Sequence, residues 1–123
     1  MSSITVTKPD ELKKAINARY DQIVVTGSLA QKVKQAEKIK KLSPAVLAMF
    51  GGLGALAVAA VAVPGVGTAA FAAAAVPLVA ASGLSVPVLI IIAVVGVTLV
   101  STLFDEYTHV EVSSQKIIFE RKR

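Results

Sequence analysis

The chain has 123 residues, a formal net charge of +5 and no cysteine. Without cysteine there is no disulfide framework, no thiolate metal site and no thiol nucleophile. The length leaves room for one small folded unit beside an apolar segment.

The front of the chain reads as strand, helix, strand, helix. Ile4-Thr5-Val6 is a short β-prone stretch. Thr7 is placed to cap a helix, with Asp10 reciprocating three residues later, and Pro9 suits an early helical position. Leu12, Ala15, Ile16 and Tyr20 recur at helical spacing over residues 9–20. Ile23 to Thr26 reads as a strand closed by Gly27. Ser28 to Gln31 repeats the capping pattern, and a second helix runs from about Leu29 to Lys41, with Leu29, Val33 and Ala36 on one face. Two strands joined by a helix are most simply parallel. Met1 to Lys41 is too polar to be a secretory signal.

Sixty-three consecutive residues, Leu42 to Phe104, hold no Asp, Glu, Lys, Arg or His. About 20 apolar residues in a helix cross the hydrocarbon core of a bilayer. The run therefore predicts two spans, residues 45–63 and 86–104, joined by an apolar segment, 64–85, that is re-entrant, interfacial or a third helix. Gly51, Ala55 and Ala59 fall four apart on one face of the first span, and Ala48 and Gly52 form a neighbouring small pair. Such faces let helix backbones approach closely in lipid, so they predict packing between spans or between copies in a homo-oligomer. The polar side chains of the run are hydroxyls, such as Thr68, Ser82 and Thr98. Proton relays and ion-coupled carriers need an ionisable group at depth, so those classes are disfavoured.

The tail reads as a β-hairpin. Tyr107 to Val112 alternates, Ser113-Ser114 turns the chain, and Lys116 to Arg121 returns it. Joined to the front strands, it completes a mixed sheet of about four strands, provided both ends lie on one side of the membrane. Lys32, Lys34, Lys38, Lys40 and Lys41 precede the apolar run, and Arg121, Lys122 and Arg123 close the chain. Basic residues beside spans mark the cytoplasmic side. Near anionic headgroups each contributes ~1 kcal/mol of attraction. No aromatic side chains interleave with these lysines as nucleic-acid stacking requires, so nucleic acid is not an expected partner.

Catalytic chemistry finds little support. His109 stands alone in the tail strand, and Asp10-Glu11 and Asp105-Glu106 are adjacent pairs without a nucleophile set. Gly27-Ser28 sits at a strand-to-helix turn but lacks a phosphate-loop pattern. No catalytic residue, metal ligand or cofactor is predicted, and the chain does not read as an enzyme.

The Ala/Gly/Val-rich stretch from Ala45 to Phe104 resembles the hydrophobic hairpin of colicin-type pore-forming bacteriocins. The amphipathic helical bundle that surrounds that hairpin is missing here, and no site residue carries over. The resemblance implies bilayer permeabilisation.

The expected architecture is an integral membrane α-helical hairpin, residues 42–104. It carries a small α/β head made of a β-α-β-α unit, 1–41, and a C-terminal hairpin, 105–123. The expected role is a self-associating anchor or scaffold, multi-pass in the cell inner membrane with both termini cytoplasmic, whose head holds a cytoplasmic protein. The alternative is a pore-forming or membrane-permeabilising effector such as a toxin, lysis or defence protein.

Overall fold

The computed structural model describes residues 2–63 and 65–122. Strand β1 (Ser3–Val6) pairs in parallel with β2 (Gln22–Thr26). β2 pairs antiparallel with β4 (Lys116–Arg121), and β4 with β3 (Tyr107–Ser113), giving the order β1-β2-β4-β3. The alternation of each strand sorts its side chains by face. Val6, Ile23, Val25, Ile117 and Phe119 are buried on one face, against helices.

Helix α1 (Pro9–Asn17) buries Leu12, Ala15 and Ile16. Its start differs from the expected Thr7–Asp10 reciprocation. The Glu11 carboxylate accepts from the Thr7 amide at 3.0 Å, the Thr7 hydroxyl at 3.2 Å and the Lys8 amide at 3.2 Å. These donors hold the Glu11 carboxyl below its ordinary value of 4.5. Helix α2 (Ser28–Ala36) starts after Gly27, whose φ of 75° is a conformation glycine adopts without strain. No side chain caps it, so the Ser28 capping pattern is not used. A 3-10 turn, Glu37–Lys41, carries the chain on.

The uncharged run folds as a series of short helices: α3 (Pro44–Ala48), α4 (Gly54–Ala62), α5 (Val66–Ala74), α6 (Val76–Ser82), α7 (Val86–Val95) and α8 (Val97–Glu106). The molecule is thus a small mixed α/β domain, and the membrane-hairpin architecture is overturned. No single helix among the described residues is long and apolar enough to cross a membrane. The first expected span, 45–63, is broken by the 3-10 turn Met49–Gly52, and its halves, Pro44–Gly52 and Gly54–Ala62, meet at 56°. The second, 86–104, is broken at Gly96, whose φ is 99°. The connecting segment 64–85 holds α5 and α6, and α6 meets α7 at 100°.

Helix α7 explains the discrepancy. Its residues Val88, Leu89, Ile90, Ile91, Ile92, Val94 and Val95 are all buried. It packs against α1 and α2, against α4, and against α8. A helix that is apolar all round belongs either in lipid or in the centre of a protein. Here the protein supplies the surroundings. The layers run from the sheet, through α1, α2 and α8, to α7, and then to α4 and α5.

Candidate lipid-binding surface

The outermost layer has the composition of a core and the position of a surface. Val66 is 77% exposed and Val76 is 62% exposed. Val58, Val61 and Val63 are exposed beside them. No charge breaks this surface, because α4, α5 and α6 all lie inside the uncharged run. Exposed valines on neighbouring helices with no charge among them mark a candidate interaction surface. The layer is held from beneath by Phe71, Ala75 and Leu78, which are fully or almost fully buried.

The predicted small-residue face is on this exterior. Ala48, Gly51, Gly52, Ala55 and Ala59 are all exposed. The break at Met49–Gly52 and Leu53 keeps them from forming one continuous helix stripe. Ala48 and Gly51 instead line an apolar groove of about 290 Å³ with Phe50, Ile92 and Gly96. Among the glycines, the closest backbone approach falls at Gly67, a residue the helix-face pattern did not select. A Cβ there would collide with the Ala59 carbonyl oxygen and lie 2.8 Å from the Ala60 Cα. Gly67 and Ala59 stand equally far along the chain from Val63, at the tip between α4 and α5. Small residues mirrored about a tip are the signal that could have revealed the crossing.

Part of the predicted basic cluster stays together: Lys34, Lys38 and Lys41 border one surface cleft with Glu37 and His109. The Lys34 ammonium lies 2.6 Å from the Glu111 carboxylate, and Lys40 lies 2.6 Å from Asp105. The Arg121 guanidinium donates to the Arg19 carbonyl at 3.4 Å. The Lys122 amide donates to the Glu106 carbonyl at 2.8 Å, which extends the ladder by one step. Arg123 lies outside the described residues, as do Met1 and Pro64.

Lys32 has a different setting. It borders a cleft of about 340 Å³ with Thr7, Ser28, Thr68, Val61 and Ile91. The cleft opens at the carboxyl ends of the parallel strands β1 and β2, the end where open α/β sheets take their ligands. One ammonium and three hydroxyls stand over an aliphatic wall, a chemistry that suits an anionic amphiphile. The Gly27 amide is not available to an anion there, since it donates to the Gln115 carbonyl at 2.9 Å.

His109 is part of an aromatic group. Its ring centroid lies 5.8 Å from Phe104 and 5.6 Å from Phe119, and its Nε2 is 3.5 Å from a Glu37 carboxylate oxygen. Among the described residues no group of three or more His, Asp or Glu side chains is placed to hold a metal ion. The Tyr107 hydroxyl donates to the Tyr20 carbonyl at 2.7 Å, which ties the tail to the turn after α1. Burial pushes its phenol above the ordinary value of 10.0.

Comparison with curated proteins and with solved structures gives no match. The family described as "Uncharacterised protein PM1101" matches residues 5–122, nearly the whole length, and the chain belongs to that family.

Proposed function

We propose that this protein is a small self-associating membrane anchor or scaffold of the cell inner membrane. Its uncharged outer layer beds into the bilayer, and its α/β head, away from the open sheet face, holds a cytoplasmic protein partner. The observation that carries this reading is the exposure of Val58, Val61, Val63, Val66 and Val76 on a layer without a single charge. In water such a surface costs about 25 cal/mol for each Å² left uncovered. Short helices lying along the headgroup boundary cover it without any helix crossing the bilayer. Lys32 stands at the rim of that layer, beside Val61 and Thr68, where an anionic headgroup would meet it. The exposed small residues Ala55 and Ala59 on α4 leave room for close packing between copies.

Flotation of the full chain with lipid vesicles tests this reading. The protein is expected to float with anionic vesicles and less with neutral ones. Val66→Asp should abolish flotation, and Lys32→Glu should weaken it selectively for anionic lipid. A folded, monodisperse protein that stays at the bottom of the gradient with both vesicle types would refute the anchor. Dye release from the same vesicles separates anchoring from permeabilisation, since an anchor leaves them sealed.

A further inference from the structure

Helices cover one face of the sheet, and the other face is bare. Strand register arranges the bare face in rows across the ladder. The middle row is Thr5, Val24, Ile118 and Val110, set by the pairings Thr5–Val24, Val24–Ile118 and Val110–Ile118. Val24 and Ile118 are half-buried, while Val110 is 64% exposed. On one side lies the row of Thr26 and Lys116. On the other lies the row of Gln22, Glu120 and Thr108. Lys116 and Glu120 thus stand two residues either side of Ile118 on β4, with opposite charges.

We infer that this face pairs with the same face of a second copy, about a two-fold axis that runs along the middle row. Such an axis lays each strand over its own reversed copy. Ile118 meets Ile118, Val24 meets Val24 and Val110 meets Val110. Lys116 of each copy meets Glu120 of the other, and Lys122, past the end of β4, faces the Ser114 turn. A two-fold axis running along β4 would instead set Lys116 against Lys116 and Glu120 against Glu120, a repulsion that disfavours that arrangement. An isologous interface uses one self-complementary patch on both subunits. Stacked sheets keep their strand directions within about 30° of each other, so contacts close to the axis stay in register. The charge pattern picks a second copy over a lipid surface, because anionic lipid would meet one sign attractively and the other repulsively. The helical layers lie behind each sheet, so the two uncharged outer layers point away from one another, and a dimer meets any one bilayer with a single outer layer.

The pairing does not depend on lipid binding, and sedimentation equilibrium in a density-matched non-ionic detergent tests it with the uncharged layer occupied. The full chain is expected to be dimeric. Val110→Asp, at an exposed position on the axis, should leave a folded monomer. Lys116→Glu and Glu120→Lys should each weaken the dimer about tenfold, the scale of two exposed ion pairs turned to repulsion. The combined Lys116→Glu/Glu120→Lys variant should regain the original affinity. A monomeric parent chain, single reversals without effect, or a combined variant no tighter than either single one would overturn the pairing.

Discussion

Helix α7 and the α4–α6 layer have the same charge content, which is none, and opposite environments. Leu89 and Ile92 of α7 are fully buried, whereas Val66 at the start of α5 is 77% exposed. The difference lies in side-chain size. α7 is built from Val, Leu and Ile, large enough to fill the space between the head helices α1 and α2 and the outer helix α4. The outer layer is built chiefly from Ala, Gly and Val, which offer little volume to a core and little obstruction to a neighbour. Missing charge therefore fixes only that a segment avoids water. Volume decides whether the protein or another surface provides the shelter.

The sharpest way to break this comparison is to put a charge into each region. Leu89→Asp should leave no folded protein, because an unpaired buried carboxylate costs more than about 5 kcal/mol, comparable to the whole stability of a small domain. Val66→Asp should fold normally, within about 0.5 kcal/mol of the parent. Circular dichroism with thermal unfolding checks both. Equal damage from the two substitutions would mean that the outer layer is also core.

Phe71→Ala asks whether the outer layer melts with the core. Phe71 is fully buried beneath α5, and its truncation should cost about 3–5 kcal/mol. Hydrogen exchange should show α5 and α6 loosening most. A smaller effect is expected for Gly67→Ala, about 1–3 kcal/mol, because the new methyl group meets rigid backbone at Ala59 and Ala60. A neutral or stabilising result in denaturant titration would show that α4 and α5 are not tightly crossed.

The smallest effect lies outside both regions. The hydrogen bonds from Thr7 and Lys8 favour ionised Glu11 in the folded state. The unfolded chain binds the proton more readily, so this contribution is present above about pH 4.5 and is lost as pH falls through the lower folded-state value. Glu11→Gln should lower the melting temperature slightly near neutral pH. The gap from the parent should close as pH falls through that lower folded-state value. A gap that stays constant would remove the carboxylate's charge from the account.

The sheet was legible in the sequence because its strands alternate. Ile23 and Val25 face the helices while Val24 faces outward, and the hairpin returns β4 to β2, with its turn at Ser114-Gln115, one residue beyond the expected Ser113-Ser114. The helix that begins near Leu29 was legible from Leu29, Val33 and Ala36 on one face. Helix α7 was not, since Val88 to Ile92 carries no period from which a solvent face could be read. The two breaks were hidden in part because Gly52 and Gly96 sit in runs otherwise apolar enough for a span. At the candidate surface, the exposed small residues were visible in the pattern, but their exposure was not. Lys32 and Lys34 stand two apart on α2 and so on different faces, but the partners of Lys34 and Lys40, Glu111 and Asp105, arrive from the distant tail.

Thiol labelling tests the division of the uncharged run most directly, because the parent chain has no cysteine. Leu89→Cys and Val66→Cys are each treated with a maleimide in buffer and then with anionic vesicles present. The expected result is no reaction at position 89 in either condition. Position 66 should react rapidly in buffer and be protected by the vesicles. Comparable reactivity at the two positions in buffer would contradict the buried-and-exposed division, and unchanged labelling at position 66 with vesicles would contradict the lipid contact.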